Sequence, residues 1–165
     1  RAAAFEPRVR RVIASGHAYD YRKIARGPAT AILGFFHDHF REFTNRLTMW
    51  KIARGGMEAW SISHLMYVLD VDEPMAALEF ALALSEENLH AERVGQDILL
   101  LASRDDHFVP FRLHRGQLRR LTAARSVAER VFGREDHAQN HCQIGNIGLA
   151  LRVMEEWIGA KTADG

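Results

Sequence analysis

A single cysteine, Cys142, leaves no partner for an internal disulfide and no thiolate set for a multi-cysteine zinc site. A reducing intracellular compartment, mitochondrial matrix or cytoplasm, is therefore expected. Four prolines are too few for a loop-rich all-β chain. No apolar run nears the roughly 20 residues that a membrane-spanning helix needs. The longest, Met75 to Leu84, contains Glu79 and reads as a buried core helix. Gly-x-Ser-x-Gly, a phosphate-binding glycine loop and a dinucleotide fingerprint are all missing, so no catalytic residue and no cofactor is expected. Lysine is scarce, 3 residues against 19 arginines. What remains is ordinary globular material: 165 residues, 47% hydrophobic and 26% charged, enough to bury one core. The opening at Arg1, with Arg8, Arg10 and Arg11 close behind, fits a processed start or a trimmed chain.

The apolar residues that are present recur mostly at helical spacing. The first fifteen or so residues lack a clean period, and residues 1–27 read as an N-terminal extension with some helix, followed by a helical domain over 28–160 and a flexible tail over 161–165. Pro28 suits a first turn, and Ala31, Ile32, Phe35, Phe36 and Phe40 carry a helix to about Phe43. Thr44 to Ala53 continues as helix, closed by Gly55 and Gly56. Met57 to Leu69 follows, and Asp72-Glu73-Pro74 caps and opens the next helix, which is apolar nearly all round and expected to lie between neighbours. Further helices are predicted over Leu89–Ser103, with Val94, Ile98 and Leu101 inward, and over Gln117–Phe132, with Leu118, Leu121, Ala124, Ala128 and Val131 as the stripe. Asp105 to Pro110 reads as a loop. A last hairpin spans His137–Ile144 and Ile147–Ile158 around Gly145-Asn146. No segment alternates cleanly, so the expected fold is all-α: antiparallel helical hairpins stacked as a short solenoid or irregular bundle.

Two turn-plus-helix passages align. Asp72-Glu73-Pro74-Met75-Ala76-Ala77-Leu78-Glu79-Phe80 and Gly145-Asn146-Ile147-Gly148-Leu149-Ala150-Leu151-Arg152-Val153 each place Ala-Leu, a charge and an apolar residue after a turn. Their separation, 73 residues from Ala77 to Ala150, is about two units of a helical-hairpin repeat. On these residues, and most of all on Gly145 to Asp164, the chain resembles degenerate tetratricopeptide and pentatricopeptide repeats. That resemblance implies a scaffold or an RNA-binding solenoid.

Charge is segregated. Acids dominate from Asp70 to Asp97, and arginines from Arg112 to Arg134. Arg112, Arg115, Arg119, Arg120, Arg125 and Arg130 are the expected contacts for a partner or RNA, because guanidinium forks suit carboxylates and phosphates. Nine histidines raise metal alternatives. Glu58, Glu87 and His90 offer half of a ferritin-like set through Glu-x-x-His. His137 and His141, i and i+4 on a helix, join His64 in a three-histidine set that resembles DinB-like enzymes. His37 and His39 would point to different helix faces, and Cys142 reads as a small core residue. The expected function is a non-catalytic helical scaffold or accessory subunit of a larger assembly, such as an organellar ribonucleoprotein or a respiratory complex. An RNA-binding repeat protein and a metal-dependent helical-bundle enzyme are the alternatives.

Overall fold

A computed structural model describes residues 1–24 and 29–163. Gly27 and Pro28, expected to open the first helix, lie outside the described residues, as do Asp164 and Gly165 of the tail. So do the side chains of Ala31, Ile32, His37 and Glu58. In chain order the elements are α1 (Ala2–Phe5), β1 (Arg11–Ser15), α2 (Ala29–Ala53), α3 (Met57–Leu69) and α4 (Pro74–Ala83). There follow α5 (Glu86–Leu89), β2 (Asp97–Ser103), α6 (Arg112–Arg120), β3 (Ser126–Phe132) and α7 (Ile147–Ala163). The all-α expectation is overturned by a three-stranded sheet, and with it the solenoid of stacked hairpins. The chain divides into two units: Arg1–Asp20 with Glu86–Gly165, and Tyr21–Ser85.

The first unit is the sheet unit. Its strands are all parallel in the order β1-β2-β3, with Arg11 opposite Asp97 and Asp97 opposite Ser126. Residues expected to be an extension thus supply a strand. β2 is central, and all seven of its residues are buried. Ile98 and Leu100 face one core with Ala91, Val94 and Leu121. Leu99 and Leu101 face the other, with Phe132, Ala138 and Ala150. A strand buried on both faces reads as a continuous apolar run, which is why helical spacing could be laid over it. Burying each leucine there contributes about 2 kcal/mol. The helix expected over Gln117–Phe132 is divided: α6 ends at Arg120, and Val127, Val131 and Phe132 continue in β3, where β-branched and aromatic side chains suit a pleated surface.

Helix α6 packs closely on the segment after β1. A Cβ built on Gly116 would stand 2.2 Å from Tyr19 Cε1, and the Arg120 guanidinium covers the same ring at 3.9 Å. Gly116→Ala should therefore lower stability by about 1 kcal/mol or more, because overpacking outweighs the gain in helix propensity. Thermal denaturation checks it, and a higher Tm would contradict this packing.

The second unit, Tyr21–Ser85, is helical, and here α3 covers the residues expected. Helix α2 is continuous through the two predicted segments with a kink at Phe40 (φ −137°), and Gly55 and Gly56, both at positive φ, follow its end. Pro74 occupies the first turn of α4 as expected. The cap there is not Asp72: Met75 N–H donates to Asn45 Oδ1 at 3.0 Å, while Arg41 pairs with Glu73 and Glu79. Only one face of α4 is buried, through Met75 and Ala77, and Phe80 is exposed. No helix among the described residues is long and apolar enough to cross a membrane.

Candidate active site

Parallel strands bring their carboxyl ends to one edge, where the connecting loops meet. In the sheet unit those loops begin at Gly16 after β1, Arg104 after β2 and Gly133 after β3. Three backbone hydrogen bonds tie them together: Gly16 N–H to the Leu101 carbonyl (3.2 Å), Arg104 N–H to that of Phe132 (3.0 Å), and Asp105 N–H to that of Gln139 (2.9 Å). Asp106 and His141 therefore meet although 35 residues separate them.

The Asp106 carboxylate is 2% exposed. Its Oδ1 accepts from the backbone N–H groups of Phe108 (2.8 Å) and Val109 (2.7 Å), which fix its rotamer. His141 Nδ1 lies 3.0 Å from Oδ1 and 2.9 Å from Oδ2. A buried carboxylate accepting at Nδ1 favours the tautomer with the proton there, leaving Nε2 with a free lone pair. Among the described residues, none hydrogen-bonds to Nε2. Phe108 packs edge-on to the imidazole at 5.0 Å between centroids. Gly16, at φ +58°, makes room on another side: a Cβ there would lie 3.1 Å from His141 Cε1.

A buried strut holds the histidine loop. Gln143 Oε1 accepts from Ser15 Oγ at 2.9 Å, and its Nε2 donates to Ser103 Oγ at 3.0 Å. Ser103 in turn donates to the Ala138 carbonyl. One amide thus joins the tips of β1 and β2 to the residue two places after His141. Cys142 and Gln143 both adopt left-handed backbone, at φ 54° and 56°. Successive non-glycine residues in that region cost of order 1–3 kcal/mol each and persist where the surroundings over-determine them. Asn146 anchors the far end, capping α7 through Leu149 N–H and donating to the Asp136 carbonyl.

Beside Asp106 is a cavity of about 20 Å3, lined by His17, Ser103, Phe111 and His114 among others. That is room for one water at most. Burial holds His17 below the ordinary histidine range. His17 is thus kept neutral when folded but protonates more readily when unfolded, so its stabilisation is complete above about pH 6.5 and declines as pH falls toward its lower folded value. His17→Gln should flatten the fall in Tm between pH 7 and pH 5. An unchanged slope in a pH series of melts would contradict this assignment.

The residues singled out from sequence fall elsewhere or in other settings. Arg112, Arg115 and Arg119 are exposed on α6. Arg120 pairs with Glu86, Arg125 with Asp97 (2.5 Å) and Arg130 with Asp136 (2.7 Å), so these three arginines are engaged within the sheet unit. His64 stacks on Trp60 in α3, in the helical unit. His137 is in a turn at φ 55°, and His141 starts a single helical turn, so no i, i+4 helical pair exists. Glu87 is in α5, which ends at Leu89, and His90 is left-handed beyond it, so the Glu-x-x-His geometry is lost too. Among the described residues no three His, Cys, Asp or Glu side chains gather as a metal site. Cys142, expected in the core, is exposed, and its thiol is pushed up by burial of the sulfur and by the Asp106 charge. It is a thiol at neutral pH, not a thiolate nucleophile.

Sequence reasoning missed Asp106 and most of its setting. The available signal was local: an apolar run closed by Ser103, then Asp105-Asp106 and Pro110, which is how a buried strand leading into a functional loop reads. Comparison with known proteins finds no matching family model and no matching curated protein.

Proposed function

We propose that Asp106 and His141 form the acid–base arm of a hydrolytic active site, with His141 Nε2 as general base. The observation that carries this reading is the buried Asp106 carboxylate bonded to Nδ1 at the carboxyl edge of a parallel sheet. In the reaction Nε2 takes the proton of an attacking hydroxyl as it bonds to an acyl carbon, then returns it to the departing alcohol. Asp106 holds the tautomer and stabilises the imidazolium between those steps. Aspartate after one strand and histidine after the next is also the order of the last two triad members in hydrolases built on parallel sheets, a fold-level analogy that adds support. The nucleophile is whichever hydroxyl reaches Nε2. Ser15 is committed to Gln143. β1 has no strand on its outer edge among the described residues.

Short-chain p-nitrophenyl esters test the reading. Turnover that falls to background in His141→Ala is expected, and turnover that survives the substitution would end it. The scaffold expectation rests in part on stacked hairpins, which the sheet replaces, and in part on segregated charge and exposed aromatics. Docking of a protein partner retains one supporting observation of its own. The helical unit exposes Phe43, Trp50, Trp60, Tyr67 and Val68, with Tyr67 83% accessible, and large exposed apolar side chains are what a partner surface uses. Concentration-dependent association by light scattering, lost in Trp60→Glu, would support it; a monomer that captures no partner would not.

A further inference from the structure

A cavity of about 710 Å3 opens at the amino ends of the strands, the edge opposite Asp106 and His141. Among the described residues Arg10, Arg11, Arg125 and Lys161 line it, against one carboxylate, Asp97. Asp97 is already fully engaged: it accepts from Ser126 Oγ at 2.6 Å and Arg125 at 2.5 Å, with Lys161 Nζ at 3.6 Å. Those bonds hold its carboxyl down to about 2, so it stays ionised. Among the described residues neither Arg10 nor Arg11 has a carboxylate partner. Arg11 donates one amino group to the Lys161 carbonyl, and its Nε is buried with no acceptor. An orphaned guanidinium donor in a concave cationic wall is a site short of an acceptor.

We propose that this cavity binds a small phosphate-bearing molecule, with the phosphate seated between Arg10 and Arg11. Two uncompensated guanidinium charges match a phosphate dianion. Its three terminal oxygens suit forked donors better than one carboxylate does. The volume exceeds what a bare phosphate fills, leaving room for an organic group against Pro7 and Val9.

The test is a titration of the purified chain with inorganic phosphate and with phenyl phosphate at low ionic strength, followed through amide NMR shifts. Saturable shifts confined to residues near Arg10, Arg11, Asp97 and Arg125 are expected. Tighter binding of phenyl phosphate assigns an organic phosphate, and equal binding assigns the free ion. Arg10→Gln, at an exposed position, should weaken binding about tenfold without disturbing the fold, and added salt should weaken it further. Arg11→Gln should remove it. Absence of saturable shifts with both ligands, or undiminished affinity in Arg10→Gln, would overturn the proposal. His141→Ala should leave it unchanged, so this site and the ester chemistry fail separately.

Discussion

Asp106→Asn is expected to lower kcat for ester hydrolysis about ten-thousandfold while leaving the fold intact, the size of effect that loss of tautomer control produces in triads of this kind. The carboxylate is buried, held by two backbone N–H groups, and accepts at Nδ1 of His141. An amide of the same shape can turn its NH2 toward Nδ1, which then has to accept, and the proton moves to Nε2. The base is thereby blocked on the side that faces the nucleophile. His141→Ala should cost at least as much, and the double variant little more than the worse single one, because the two residues act as a unit. Single-turnover kinetics on all three variants, with circular dichroism to establish folding, gives the comparison. A tenfold loss in Asp106→Asn, or losses that multiply in the double variant, would contradict the arrangement.

Gly16→Val should reduce kcat/KM about a hundredfold and also lower stability. The residue sits at φ +58°, where a β-branched side chain costs about 1–2 kcal/mol or more in backbone strain. Its new Cβ would press on His141 Cε1 at 3.1 Å and Nδ1 at 3.4 Å. The imidazole is tethered to Asp106 on one side and to a strained loop on the other, so displacement by even about 1 Å spoils its alignment. Gly16→Ala carries the same backbone strain with less bulk, and should fall between the two in activity. Equal activity in all three proteins, measured with the same ester, would mean that the close approach of Gly16 has no part in placing the base.

How much of this could be read beforehand depends on where each signal lives. The helical unit was legible because its signals are local: Gly55 and Gly56 end α2, Pro74 opens α4, and Met57 to Leu69 repeats at helical spacing. The Gly145-Asn146 turn and the loop at 105–110 were legible for the same reason. β2 was not, because Ile98 to Leu101 alternate between two cores and are apolar toward both. An unbroken apolar run fits a helix as readily as a buried strand. β3 was hidden by Leu118, Leu121, Ala124 and Ala128, whose spacing runs across the turn that separates α6 from the strand. The dyad was out of reach by any spacing rule. Asp106 and His141 lie in different loops, and only the parallel alignment of β1, β2 and β3 brings those loops together. Sequence spacing presents His141 as a metal ligand beside His137, on a helix that does not form.

The most direct measurement of the central claim is the protonation pattern of the His141 ring, read by long-range 15N–1H NMR correlation at pH 8. The dyad predicts a proton on Nδ1, shifted far downfield by the Asp106 carboxylate, and a bare Nε2; in Asp106→Asn the proton should move to Nε2 and the downfield signal should disappear. A ring that carries its proton on Nε2 in the unaltered chain, or whose signals ignore the substitution at Asp106, would contradict it.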